Sequence, residues 1–506
     1  MSASHSASSR LLADVVGGLA QVPEDIRVSD VTSDSRAVQP GCLFLACRGR
    51  RTHGLQHVRE ALARGARAVL WEPDPAVDAQ DFGPQVFVSA VPDLSFRAGE
   101  IADRFFAAPS AALTIAGITG TNGKTTCAYL LAQALSACDR PAAYVGTLGV
   151  GRPGALAAGT HTTADAVSLH RQLAGLRAGG AACVAMEVSS HALDQARTAG
   201  VRFHTAAFTN LTRDHLDYHG TMADYAAAKA RLFALPGLAV RVINVDDDFG
   251  RELAARAGAG RLVVTSRSVH EAPMTGAQRV LGTRVRTTAG GLALDLDTSW
   301  GAASLEVPLL GQFNADNVLT VLAVLLAWEL PLARSCAALA RVQAPPGRME
   351  SFRLGGEGPL AIVDYAHSPD ALTKALDAAR AHCTGELWVV FGCGGDRDAG
   401  KRPLMGRIAA ERADRIVLTD DNPRGESPAA IVSQILEGVR AARSAHPGAE
   451  IVHDRAAAIR GALQGARAGD VVLIAGKGHE DYQICGSERR PFSDQAIVRG
   501  MAAGRA

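Results

Sequence analysis

Gly120-Thr121-Asn122-Gly123-Lys124-Thr125-Thr126 is the stretch that decides the fold of this 506-residue chain. It follows an apolar run, 113–118, and leads into a helix-like segment, 127–137, so the local order is strand, glycine loop, helix. In that setting successive backbone N–H groups and a helix N-terminus cradle phosphate, Lys124 reaches the β/γ-phosphates, and the Thr125 hydroxyl is placed to ligate Mg²⁺. The long Walker A spacing is not met, because its first glycine would fall on Ile118. A shorter G-x-x-G-K-[ST] loop remains. Taken bare, it could be a glycine-rich turn, a reading that the strand–loop–helix context disfavours.

Outward from the loop, strand-like runs at 182–187, 205–209 and 240–245 alternate with helical patterns, which predicts an α/β fold with a parallel sheet and crossover helices. Upstream, short strands are expected at 41–46, 68–71 and 85–88, and Pro109-Ser110 reads as a linker. Downstream, 261–307 is β-rich and suggests a small antiparallel insert, followed by a helix at 314–328. Ala344-Pro345-Pro346-Gly347 marks a second linker, beyond which strands near 387–391, 415–419 and 471–475 form a third α/β unit. The expected domains are 1–111, 112–346 and 347–506, consistent with roughly 100–200 residues per domain.

Composition narrows the function class. Apolar residues make up 47% and charged residues 20%, and the formal net charge is +1. That suits globular cores and provides no basic field for nucleic acid. The longest apolar run, 318–328, falls short of the roughly 20 residues a membrane span needs. Asp14 interrupts the apolar stretch after the Ser-rich start, a poor secretory signal. Nine cysteines without C-x-x-C spacing indicate neither a zinc site nor a disulfide framework. A cytoplasmic protein that binds no nucleic acid and inserts in no membrane is expected. Lys and Arg together number 52, yet only five are lysine: Lys124, Lys229, Lys374, Lys401 and Lys477. Such a chain keeps lysine where a compact ammonium or a neutral amine is needed.

Glu187, in Glu187-Val188-Ser189-Ser190-His191, ends a predicted strand on the edge where open α/β sheets bind ligands. His215, in Asn210-Leu211-Thr212-Arg213-Asp214-His215, follows another, so both are candidate metal ligands beside the phosphate loop. Lys229 lies on an alanine-lined helix where arginine would pack as well, which hints at amine chemistry. Asn314 and Asn317, in Gly311-Gln312-Phe313-Asn314-Ala315-Asp316-Asn317, stand at the start of the apolar helix and could simply cap it. Asp421-Asn422-Pro423-Arg424 is, by itself, a turn with good turn residues.

With these motifs on one chain, from Asp34-Ser35-Arg36 to Gly476-Lys477-Gly478-His479-Glu480, the sequence closely resembles the Mur ligases of bacterial cell-wall synthesis, and among them the members that add meso-2,6-diaminopimelate. The resemblance implies three α/β domains: an N-terminal UDP-binding domain, a central P-loop ATPase domain and a C-terminal Rossmann-like domain. It implies ATP as substrate and Mg²⁺ as cofactor, bound by Thr125, Glu187, His215 and a Lys229 carbamylated by CO₂. Lys124, His215 and Lys229 would be catalytic. Gly120, Thr121, Asn122, Gly123, Lys124, Thr125 and Thr126 would hold ATP with Asn314, Asn317, Arg348, Asp364 and His367.

Ser35 and Arg36 resemble the family's uridine-diphosphate contacts, and Thr162, Thr163, Ser189, Gln195 and Arg197 its muramoyl-dipeptide contacts. One departure stands out: Ala164 replaces a proline found in many relatives, which loosens that loop but removes no hydrogen-bonding side chain. Arg397, Asp421, Asn422, Arg424, Gly476 and Glu480 match diaminopimelate contacts. Lysine-adding relatives differ at Asp421–Arg424. The physics agrees: diaminopimelate has a second carboxylate that Arg424 would bind bidentately, and lysine would leave that guanidinium unpaired. The expected partners are ATP, UDP-MurNAc-L-Ala-D-Glu and meso-diaminopimelate, acting on a monomer. A folylpolyglutamate-like ligase would not need Asp34-Ser35-Arg36, and a P-loop ATPase that makes no bond would have no use for Lys229, Arg424 or Glu480.

Overall fold

A computed structural model describes residues 9–49, 52–75, 86–159, 161–256, 258, 260–268, 276–442 and 448–504. The chain divides into two compact units, 1–264 with 273–278, and 265–272 with 279–506.

Among the described residues the first unit carries a two-stranded antiparallel sheet, Arg10–Leu11 with Arg27–Val28, and two larger ones. Four short strands, Val31–Thr32, Leu43–Ala46, Ala68–Trp71 and Phe87–Ala90, pair in parallel in that order. The last falls two residues after the expected start, and Gln85 lies outside the described residues. In the larger sheet the strands run in the order Ala155–Ala157, Gly149–Arg152, Ala142–Gly146, Cys183–Glu187, Thr114–Thr119, Thr205–Phe208, Val240–Asn244, Arg261–Ser266. The five from Ala142–Gly146 to Val240–Asn244 are parallel. These strands are buried along almost their whole length, which is why they read as continuous apolar runs rather than alternating ones. Their carboxyl ends form one edge, which carries Gly120, Glu187 and Thr209.

Two glycines shape that edge. Gly120 has φ 150°, and a Cβ there would overlap the Thr209 hydroxyl. At Gly146 a Cβ would overlap the Glu187 carboxylate, so the bare backbone admits that side chain.

In the second unit an antiparallel meander, Gln278–Thr288, Gly291–Thr298 and Gly301–Val307, precedes the helix Phe313–Ala327, which is buried nearly all round. The antiparallel insert expected at 261–307 therefore begins at 278. Arg261–Ser266 instead joins the parallel sheet order, and 269–275 lie outside the described residues. A six-stranded sheet follows, ordered Glu350–Arg353, Leu360–Asp364, Val471–Ala475, Leu387–Phe391, Arg415–Leu418, Glu450–Ile451. Only the first strand is antiparallel. Successive residues face opposite layers: Ile362, Val389 and Leu473 belong to one core, and Val363, Val390 and Ile474 to the other. That is the doubly wound arrangement whose ligand crevice lies beyond the strand carboxyl ends.

Within the second core, Arg455 and Asp494 are both fully buried and paired at 2.8 and 2.7 Å, with a further bond from Arg455 to the Ala475 carbonyl. Removing one partner strands a buried charge. Asp494→Ala is therefore expected to destabilise this unit by about 3–5 kcal/mol. Urea unfolding followed by a probe in this unit checks it, and an unchanged midpoint would contradict the assignment.

Candidate active site

In the first unit the phosphate loop is braced from beside it. Thr121 N–H donates to the Asn210 carbonyl at 2.8 Å, Asn122 N–H to Asn210 Oδ1 at 3.0 Å, and the Thr209 hydroxyl to the Asn122 carbonyl at 2.6 Å. The helix Lys124–Ala137 then starts directly after Gly123, which has φ 87°. The N–H groups at a helix N-terminus are the donors that a phosphate would take.

Lys124 Nζ donates to the carbonyls of Gly120 (2.9 Å) and Thr121 (2.8 Å). Lys229 Nζ donates to the same Gly120 carbonyl at 2.7 Å and lies 4.3 Å from the Tyr225 ring centroid. Lys229 is only 1% exposed. Burial and the neighbouring Lys124 ammonium pull its amine well below the ordinary lysine pKa, against the opposing pull of Asp214. A buried lysine with a lowered pKa is a nucleophile; a lysine kept for charge alone would sit in water.

Glu187 is 1% exposed and its carboxylate is fully engaged. It accepts from the Thr125 hydroxyl at 2.8 Å, from the Thr147 N–H at 2.9 Å and from the Tyr144 hydroxyl. Its carbonyl accepts from the Thr163 hydroxyl at 2.9 Å. His215 has a left-handed backbone, φ 54°, and its ring centroid lies 6.0 Å from that of Tyr225. Partial burial, helped by Lys124 and Lys229 and opposed by Asp214, lowers the imidazole below its ordinary pKa and so favours its neutral form.

Two clefts in this unit, of about 540 and 560 Å³, share Ser33, Cys47, Arg48 and Gly49 as lining and so run into one another. One reaches Ser35, Arg36 and His57; the other reaches Asp165, Gln195, Arg197 and Tyr218. Ser35 is held by Glu60 at 2.7 Å and Arg36 by Asp34. Arg197 donates to Gln195 Oε1 and to the Thr163 carbonyl. The Thr162 hydroxyl lies 3.0 Å from that of Thr147, and Ser189 N–H donates to Thr163.

In the second unit Asp364, Asp421 and Gly476 all follow strand carboxyl ends. Asp364 accepts from the N–H groups of Met349 and Ala366, and Arg348 stacks 4.7 Å from the Tyr365 ring centroid. His367 Nδ1 lies 2.8 Å from the Tyr365 carbonyl. Asn422 is 3% exposed and central: it donates to Glu480 at 2.9 Å and accepts from Lys477 at 3.1 Å and from Ile484 N–H at 2.9 Å. Arg424 has φ 50° and donates to the Gly395 carbonyl at 2.8 Å. Arg397 is exposed, and its side chain and that of Arg424 flank Gly394.

These features match known proteins along the chain. The Mur ligase family, catalytic domain, matches residues 27–100; the Mur ligase middle domain matches 118–325; and the Mur ligase, glutamate ligase domain, matches 347–478. The chain belongs to the Mur ligase family. Mur ligases are ATP-dependent and have three domains. Among relatives, this Mur ligase is 51% identical over 488 residues to UDP-N-acetylmuramoyl-L-alanyl-D-glutamate–2,6-diaminopimelate ligase of Alkalilimnicola ehrlichii, covering 94% of this chain and 95% of the relative. The protein of the same name from Pseudomonas aeruginosa is 46% identical, with 96% and 97% covered. A solved structure of an enzyme of that name aligns with a TM-score of 0.71 and 34% identity, covering 98% of this chain and 99% of the other.

The donors at the Mur ligase loop suit a hard cation. Among the described residues no three His, Cys, Asp or Glu side chains converge on one point. Thr125 and Glu187 touch, and His215 and Lys229 both lie against Tyr225. A free amine is a poor ligand for Mg²⁺, which takes oxygen; a carbamate on Lys229 would complete the set.

Asn314 and Asn317 are buried and engage each other at 2.8 Å, and Asn314 also donates to the Leu310 carbonyl. They do not act as the N-cap, which is Gln312 with no side-chain bond.

Several residues were missed from the sequence. Tyr144 and Thr147 orient Glu187 from 43 and 40 positions away, which no local pattern reveals. Tyr225 was readable, since it stands four residues before Lys229 on one helix face. Lys477, fully buried between Asn422 and Glu480, was flagged only by the scarcity of lysine.

Proposed function

We propose that this Mur ligase joins meso-2,6-diaminopimelate to the D-Glu side-chain carboxylate of UDP-N-acetylmuramoyl-L-Ala-D-Glu, converting ATP to ADP and phosphate. The observation that carries the reading is the shared Gly120 carbonyl: the phosphate-loop lysine and a buried, pKa-lowered lysine donate to one atom. The names of the near-full-length relatives and the presence of Arg424 support the choice of substrates.

The D-Glu carboxylate oxygen attacks the γ-phosphorus and ADP leaves, giving an acyl phosphate. Lys124, released from the loop carbonyls, neutralises the charge that develops on the phosphoryl oxygens, as do the N–H groups of 123–126. A free amine of diaminopimelate then attacks the acyl carbon, loses its proton, and phosphate departs as the amide forms. Thr125, Glu187, His215 and carbamylated Lys229 would hold Mg²⁺, which when bound supplies further positive charge to the phosphates. Carbamylation itself is the attack of neutral Lys229 Nζ on CO₂ with loss of one proton.

The joined clefts suit the long UDP-sugar peptide, with Ser35 and Arg36 at the uridine-diphosphate end and Thr162, Thr163, Ser189, Gln195 and Arg197 toward the dipeptide. Asn314, Asn317, Arg348, Asp364 and His367 are assigned to ATP. Arg397 and Arg424 take the distal carboxylate of diaminopimelate, and Asp421, Asn422, Gly476 and Glu480 its amino-acid end. The protein is assigned to the cytoplasm and to a monomeric state.

Incubation with ATP and the UDP-sugar dipeptide, with each amino acid supplied in turn, tests the reading. ADP release is expected to depend on diaminopimelate. Release with lysine but not with diaminopimelate would refute the substrate assignment.

A further inference from the structure

The two arginines assigned to the distal carboxylate stand on different loops. Arg397 follows the strand Leu387–Phe391, and Arg424 follows the neighbouring parallel strand Arg415–Leu418. Two guanidiniums discriminate a carboxylate from an ammonium only if the loops keep a fixed spacing, since a shift of about 1 Å is enough to lose a catalytic or recognition geometry.

One side chain joins these loops. Arg402, in the first turn of the helix Lys401–Arg412, is 0% exposed. It donates through both terminal nitrogens to Glu426 at 2.8 Å each, and also to Gln434 Oε1 at 2.8 Å and to the Gly394 carbonyl at 3.1 Å. Glu426 in turn accepts from Asp396 N–H, one residue before Arg397. Asp396 returns the connection by accepting from Gly425 N–H at 2.9 Å, one residue after Arg424. Gly395 N–H donates to the Asn422 carbonyl at 2.9 Å, and Arg424 donates to the Gly395 carbonyl. Residues 394–396 are thus pinned to 422–426 one after another. The Arg402 guanidinium and the Asp396 amide hold the Glu426 carboxyl down at about 2, so the pair stays ionised at any assay pH.

We propose that Arg402 and Glu426 are positioning residues for acceptor selection: their ion pair fixes the spacing of Arg397 and Arg424, and through it the preference for a diamino dicarboxylic acid over a diamino monocarboxylic one. Neither needs to touch substrate. The inference rests on the reading that diaminopimelate is the acceptor.

Steady-state kinetics of the full-length enzyme, Glu426→Gln and Arg402→Lys test it, with lysine and diaminopimelate as competing acceptors. Glu426→Gln keeps the shape and removes the charge, and Arg402→Lys keeps the charge and removes the fork. The KM for diaminopimelate should rise about tenfold or more, with the preference over lysine falling in proportion, while the KM values for ATP and the UDP-sugar dipeptide stay within about twofold. An unchanged preference in a folded variant would overturn the proposal. So would a parallel loss across all three substrates, which marks a merely structural role. If circular dichroism shows Glu426→Gln unfolded, the exposed Asp396→Asn serves instead: a weakened preference supports the proposal and an unchanged one overturns it. A wild-type enzyme that makes no product with diaminopimelate would instead remove the reading beneath the proposal, so the two failures are distinguishable.

Discussion

Lys229→Ala is expected to lower kcat by at least about 10³-fold, because it removes a buried nucleophilic amine and with it the anionic ligand that a carbamate there would provide. Lys229 is buried against Tyr225 and donates to the Gly120 carbonyl, and Lys124 donates to the same atom. Burial, with the Lys124 ammonium beside it, pulls the Lys229 amine well below the ordinary lysine pKa and so favours its neutral form. The sign follows. Lowering the pKa of this amine enlarges its neutral, CO₂-reactive share, and acidification diminishes that share. An arginine there would stay charged and could not react. Short carboxylates such as acetate or formate, added to the alanine variant, should restore part of the rate by supplying the missing oxygens. Full activity in Lys229→Ala without any addition would sink the carbamate role.

Arg424→Ala should cost about 10²–10³-fold in kcat/KM for diaminopimelate and leave the weak reaction with lysine nearly unchanged. The guanidinium is fixed by a left-handed backbone and by the Gly395 carbonyl. Its loss leaves the distal carboxylate with Arg397 alone. Arg424→Lys should recover only part of this, because an ammonium cannot match both carboxylate oxygens at once. Kinetics with both acceptors decide the matter: equal losses for lysine and diaminopimelate would mean that Arg424 supports the fold and does not select.

Much of this was legible because it is local. The phosphate loop, its strand and its helix sit within two dozen residues, and the helix begins three positions earlier than expected, at Lys124, because Gly123 turns directly into it. Strands 387–391 and 471–475 were read to the residue, since each is an unbroken apolar run buried on both faces. Three features were illegible because their partners are distant in sequence. Tyr144 and Thr147 orient Glu187 across a sheet edge, and Arg402 meets Glu426 24 residues on. The Asn314–Asn317 pair bonds to itself and to Leu310, a geometry that a capping pattern cannot anticipate. Spacing also placed the antiparallel insert too early, because a strand entering a parallel sheet and one entering a meander carry the same apolar signature.

The central claim is that ATP is spent on activating a carboxylate, so the most direct measurement follows an oxygen atom. The UDP-sugar dipeptide is prepared with heavy oxygen in its D-Glu side-chain carboxylate, turned over with ATP and diaminopimelate, and the released phosphate is weighed by mass spectrometry. An acyl phosphate predicts one heavy oxygen in each phosphate, with labelled release dependent on the amine. Unlabelled phosphate, formed at the same rate with or without diaminopimelate, would mean that water attacks ATP at this loop and that the protein is no ligase.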